Sequence, residues 1–134
     1  DAFEAYEDSR PTARADMIAL VSALAAHARR VRPDFLVVVQ NGEALLASQT
    51  YRSVLSAVAK EDLYYGKLAD ERRNAAQATA KSLEYLALAR RDGIGVLVLE
   101  YLEDAGKIAH VRRELAAHGD VLCVAEPGES VRNV

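Results

Sequence analysis

The chain moves between two hydrophobic rhythms. Met17, Leu20, Val21, Leu24, Ala28 and Val31 recur at three- and four-residue steps, which predicts an amphipathic helix over about 12–31. Ser9 or Thr12 offers a cap at its start, and Pro33 ends it. FLVVV (35–39) breaks that rhythm. It is continuously apolar and largely β-branched, so it reads as a strand buried on both faces. NGEALL turns into a short helix around 43–56, and a weaker strand follows at about 57–65. A longer helix over about 70–91 carries Ala76, Ala80, Leu83, Leu86 and Ala87 on one side and stops at Asp92-Gly93. IGVLVLEY (94–101) is a second buried strand. Ile108, Val111 and Leu115 predict a helix that ends at Gly119, and VLCVA (121–125) is the last strand.

The order is α-β-α-β-α-β-α-β. Such alternation with doubly buried strands predicts an α/β protein with a parallel sheet and helices outside. Two architectures fit: a small doubly wound open sheet, or part of a (β/α)8 barrel. A full barrel takes about 250 residues, and this chain has 134. The chain is therefore either a single small domain over 1–134 or about half a barrel. A half barrel leaves two apolar strand edges unpaired.

Composition narrows the partners. Apolar residues make up 51% and charged residues 28%, which is globular. A formal charge of -3 gives no phosphate-tracking surface, so nucleic acid is not an expected partner. The pairs Arg29-Arg30, Arg72-Arg73, Arg90-Arg91 and Arg112-Arg113 read as solvated helix faces. No run approaches the roughly 20 apolar residues of a membrane span. Cys123 is the only cysteine. It excludes a disulfide within the chain and, lying in VLCVA, reads as a buried thiol. No GxSxG, Walker loop, HExxH or GxGxxG occurs, so neither a cofactor nor a metal is expected. His27, His110 and His118 all fall on predicted helices, away from strand ends. The opening DAFEAYED, without a Met, reads as a processed or truncated start.

In parallel α/β architectures the chemistry sits at the carboxyl ends of the strands. Here those ends read Gln40-Asn41-Gly42-Glu43, Glu61-Asp62 with Tyr64-Tyr65, Glu100-Tyr101 with Glu103-Asp104, and Glu126. Together they predict an acidic, aromatic-flanked mouth. Tyrosine faces suit sugar rings, and amides supply both a donor and an acceptor to hydroxyls. Plainer readings stand beside these. Asn41-Gly42 also makes a turn, Glu43 also suits a first helical turn, Tyr64 and Tyr65 also serve as packing, and Glu100 also suits an ion pair with a neighbouring Lys or Arg.

QNGEALL after a buried strand, then VAKEDLYYG, then VLVLEY resemble the C-terminal half of glycoside hydrolase family 114, the endo-α-1,4-polygalactosaminidases. The resemblance runs over most of the chain and implies a (β/α)8 barrel. It places barrel strands five to eight at 35–40, 57–62, 95–100 and 121–125. It makes Glu61 the catalytic acid at the end of the sixth strand. The partner acid is expected a few residues upstream of Asp1, outside this sequence, and Asp1 becomes a site-lining residue. Gln40, Asn41, Tyr64, Tyr65, Glu100 and Tyr101 are the expected substrate-binding residues. The implied substrate is a polysaccharide, galactosamine-containing by resemblance, cut by two carboxylates, with the protein outside the cell or in its envelope. Without the first half of the barrel the chain is expected to be inactive. Two alternatives remain open: a carbohydrate-binding barrel without catalysis, and a structural half barrel that associates with a second copy or with the missing half.

Overall fold

The computed structural model describes residues 3–125. Asp1 and the segment 126–134, with Glu126, lie outside the described residues. A 3-10 turn at Glu4–Tyr6 leads into α1 (Ala13–Val31), then β1 (Val38–Gln40), a second 3-10 turn (Glu43–Ala47), α2 (Gln49–Arg52), β2 (Ala57–Glu61), α3 (Ala76–Arg91), β3 (Gly95–Tyr101), α4 (Ala105–Ala116) and β4 (Val121–Ala125). The four strands form one sheet in the order β1-β2-β3-β4, and every pair is parallel. A doubly wound sheet reverses its strand order at a switch point. These strands are added in sequence with helical segments between them, which is the winding of a (β/α) barrel.

The register separates two faces. Val39, Val58 and Val96 lie side by side, as do Lys60, Val98 and Leu122. This face packs against the helices, and Val58, Leu46, Leu86, Val98, Val111 and Leu115 are almost wholly buried between them. Because side chains alternate along a strand, Val38, Ala59, Leu97, Leu99 and Cys123 project from the opposite face. That face is half-buried to exposed along its length.

Several expectations change for the same reason. The segment 35–39 is not buried on both faces. β1 starts only at Val38, and Phe35, Leu36 and Val38 are exposed, because β1 is an edge strand and its inner face is open. Cys123 is exposed rather than buried, because β4 is the other edge. In α1, Met17, Ile18 and Val21 meet the core while Leu20, Leu24 and Val31 face outward. The seam of α3 is Ser82, Leu86 and Ala89, and Ala76, Ala80 and Ala87 are exposed. The expected helix over 43–56 is split at Ser48, whose extended backbone (ψ 122°) interrupts it and whose Oγ accepts from Tyr51 N at 3.3 Å. The expected strand over 57–65 stops at Glu61, and α3 starts at Ala76, so 62–75 is a long loop.

Two ion pairs tie the repeating units together at the amino ends of the strands. Arg52, buried at the end of α2, donates to Asp92 after α3 at 2.6 Å. Arg90 grips Asp120, just before β4, with two nitrogens. Arg90 is thus a partly buried anchor and not a solvated charge. In barrels this end serves stability, leaving the other end free for function.

The burial pattern sets an energetic contrast. Leu86→Ala, at a fully buried position, is expected to cost about 2–5 kcal/mol. Leu24→Ala, at a site 60% exposed, is expected to change stability by no more than about 0.5 kcal/mol. Urea unfolding of both variants checks the difference. A large loss at Leu24 would mean that its outward face is covered in solution.

Candidate functional site

The carboxyl end of β2 carries Glu61 on the open face of the sheet. Its neighbours come from the strands on either side. Tyr101 at the end of β3 donates its hydroxyl to Glu61 Oε1 at 2.8 Å. Asn41, just past β1, donates Nδ2 to Glu61 Oε2 at 2.9 Å, and the Gln40 side chain also hydrogen-bonds Glu61. Burial alone would raise the pKa of Glu61. The bonds from Gln40, Tyr101 and Asn41 and the charge of Lys60 outweigh it, so the carboxylate is held below its usual range.

Asn41 is both a turn residue and a site residue. It and Gly42 are consecutive left-handed residues (φ 56° and 65°) that swing the chain off β1. Asn41 N still donates to Ala59 O at 2.7 Å, which fixes its side chain against β2.

Asp62 follows in the left-handed region (φ 51°) and breaks the strand alternation. Gly66 (φ 95°) makes room for it: a Cβ there would lie 2.5 Å from Asp62 Oδ1. Burial pushes the Asp62 carboxyl up, the Glu61 and Asp70 charges add to this, and Lys60 opposes it. Two adjacent carboxylates are therefore driven in opposite directions. Glu4, Glu43, Glu61 and Asp62 line a cleft of about 260 Å³ together with Asn41 and two lysines, Lys60 and Lys67.

Beneath the cleft lies Glu100. The register turns its side chain to the helix face, where it is fully buried. Its two oxygens accept from Tyr64 N (2.8 Å) and Tyr65 N (3.3 Å). Burial outweighs these bonds and pushes its pKa up to about 7. Glu100 therefore holds the loop after β2 rather than walling the cleft, and no Lys or Arg pairs with it among the hydrogen bonds of the described residues. Tyr64 and Tyr65 are buried as well, each with its ring centroid 6.0 Å from that of His110. The Tyr64 hydroxyl is pushed up to about 12, mainly by burial. His110 was expected away from strand ends. It packs against this loop because Glu71 in the loop ties it to the start of α4. Of the predicted site residues, the structure brings together Gln40, Asn41, Glu61 and Tyr101. It sets Tyr64, Tyr65 and Glu100 in the layer below, and Asp1 lies outside the described residues.

Sequence reasoning missed the residues that hold the loop. Asn74 donates to Asp62 O at 2.7 Å and accepts from Lys67 N at 3.0 Å. Glu71 (φ 54°) accepts from Asp104 N at 2.9 Å and Lys107 Nζ at 2.8 Å at the start of α4. Lys60, Lys67 and Ser82 were not singled out either. A larger apolar groove of about 460 Å³ runs along Phe3, Tyr6, Met17 and Leu20. It lacks a free acid for chemistry, because Asp16 is engaged by Arg10 and Thr12. Among the described residues no group of three or more His, Cys, Asp or Glu is placed to hold a metal ion. Within the same residues no helix is long and apolar enough to cross a membrane.

This geometry can be set beside known proteins. No family model matches the chain. An uncharacterized protein of Deinococcus radiodurans is 30% identical over 128 residues, covering 94% of this chain and 41% of that protein. An uncharacterized protein of Thermotoga maritima is 34% identical over 110 residues, covering 78% of this chain and 33% of that one. The chain thus spans less than half the length of the curated relatives it matches. The structure of the glycoside hydrolase domain of PelA from Pseudomonas aeruginosa superposes with a TM-score of 0.69 at 21% identity, over 95% of this chain and 50% of that chain. The chain is a partial (β/α) barrel. At that identity the likeness carries the fold, and the site rests on the residues described above.

The buried carboxyl makes a pH prediction. Its folded pKa is raised, so Glu100 contributes stability that is full below the unfolded value of 4.5 and is lost as pH rises through about 7. Wild-type stability is therefore expected to fall between pH 4.5 and 7 relative to Glu100→Gln, and urea unfolding across that range checks it. Parallel curves would show that folding does not shift the titration of Glu100.

Proposed function

We propose that the cleft is part of a glycoside hydrolase site acting on an amino-sugar polysaccharide, with Glu61 as one of its two working carboxylates. The observation that carries this reading is Glu61 itself. It is held low in pKa at a strand end, on the open face, by Tyr101, Asn41 and Gln40. A carboxylate so held suits a nucleophile or base, and a second carboxyl must deliver the proton to the leaving oxygen. By resemblance to the polygalactosaminidases, the four strands are the fifth to eighth of the barrel, the second acid lies upstream of Asp1, and the protein works outside the cell or in its envelope. The fold shared with the PelA glycoside hydrolase domain supports the same class. Four carboxylates around the cleft favour a cationic sugar, and an unacetylated galactosamine polymer fits that charge.

The test is reducing-end release from an α-1,4-galactosamine polymer by the whole protein. Glu61→Gln is expected to lower the rate by about 100-fold or more. Tyr101→Phe, which removes a donor to the ionised form, is expected to move the acid limb of the pH profile upward. Near-normal turnover by Glu61→Gln removes Glu61 from the mechanism.

The open sheet face favours a second reading, in which the partial barrel is a structural unit that associates with a second copy. Val38 and Val121 on the two edge strands are exposed, and the β4 edge of one copy would pair with the β1 edge of the other. Light scattering on the purified chain is then expected to give twice the 14.6 kDa chain mass. A soluble monomer overturns this reading.

A further inference from the structure

Lys60 immediately precedes Glu61 on β2, so strand alternation sends the two side chains to opposite faces. The Lys60 ammonium nevertheless curls back to the strand end. Nζ donates to Asn41 Oδ1 at 3.2 Å and lies 3.7 Å from Glu43 Oε2. Glu43 is held from α3, where Ser82 Oγ donates to its Oε1 at 2.6 Å. The Lys60 and Glu43 side chains are only 14% and 15% exposed. An ion pair that is largely removed from water returns little net stability, so its value here lies in orientation.

The oriented group is the Asn41 carboxamide. Its Oδ1 accepts from Lys60 Nζ and from Glu61 N (3.0 Å), and its Nδ2 donates to Glu61 Oε2 (2.9 Å). With the amide turned over, an NH2 would face an ammonium and an N–H, and a carbonyl would face a carboxylate. All three contacts would become repulsive. The Glu61 N–H selects the same orientation but is a neutral donor, whereas the ammonium makes a charge-assisted bond. The relay therefore runs Ser82, Glu43, Lys60, Asn41, Glu61, and crosses α3, a 3-10 turn, β2 and the end of β1.

We propose that Lys60 is a positioning residue: steered by Glu43 and Ser82, its ammonium locks the Asn41 carboxamide with the NH2 on the Glu61 carboxylate. The catalytic meaning of this lock rests on the hydrolase reading above, but the lock is a property of the resting protein and is measured without substrate.

The experiment is a carbon-detected NMR titration of the Glu61 carboxyl in four forms of the chain: wild type, Lys60→Met, Asn41→Ala and the double variant. Lys60 also acts on Glu61 through space, so the single variant alone does not decide. If the lysine works through the amide, Lys60→Met raises the Glu61 midpoint in the wild-type background. The same change made in Asn41→Ala moves it by less than about half as much. Equal shifts in both backgrounds overturn the proposal, since Lys60 would then be only a nearby charge. Should Lys60→Met fail to fold, Ser82→Ala serves instead. It leaves every charge in place and is expected to raise the midpoint in the same direction, with Asn41 Nδ2 protons exchanging faster, and no change in either overturns the proposal. If the whole protein releases no reducing ends from the galactosamine polymer while the chain shows this coupling, the hydrolase reading falls and the lock stands.

Discussion

The site depends on the parallel register of β1, β2 and β3. Gln40 lies level with Ala59, Ala59 with Leu97, and Glu61 with Leu99. The strand ends are therefore staggered, and Glu61 stands between Asn41 on one side and Tyr101 on the other. A slip of a single residue would turn Glu61 to the helix face and bring Lys60 to the open one. That slip is opposed by the apolar row Val39, Val58 and Val96, which would have to leave the core. Placement of the reactive group is thus a by-product of hydrophobic packing three residues away from it.

Below that level, the loop after β2 is held from three sides. Glu100 takes the backbone N–H groups of Tyr64 and Tyr65, Asn74 takes Asp62 O, and Glu71 reaches the start of α4. A buried carboxyl is costly, yet one that accepts two backbone donors satisfies groups that a loop crossing the core would otherwise leave unpaired. The held loop keeps Asp62 in its left-handed conformation beside Glu61. The two carboxyls then differ by environment: Glu61 has three side-chain donors, whereas Asp62 has burial and two negative neighbours.

The opposite end of the sheet is built for cohesion. Arg52 with Asp92 and Arg90 with Asp120 fasten each unit to the next, and these charges sit where barrels do no chemistry. Between the two ends, the inner face and both edges of the sheet carry exposed apolar side chains. Exposed parallel edges are templates for further pairing, and the unit superposes on 50% of the PelA glycoside hydrolase domain chain.

The alternation of helix and strand, the parallel class, the carboxyl ends of the strands and the candidate residues Gln40, Asn41, Glu61 and Tyr101 were legible in the amino-acid sequence. Periodicity and turn chemistry are local, and they act over a few residues. What the sequence alone left open was which side chains share a face. Glu100 and Tyr101 are neighbours in the chain, yet one lies buried beneath a loop and the other reaches Glu61. Only the register between strands decides that. Burial at Val38, Leu24 and Cys123 was misread for a related reason: an apolar residue states what it would bury against, and only the tertiary structure shows whether a neighbour is there. The lock of Lys60 on Asn41 was likewise beyond pattern reading, because its partners come from four segments brought together only when the sheet and α3 pack.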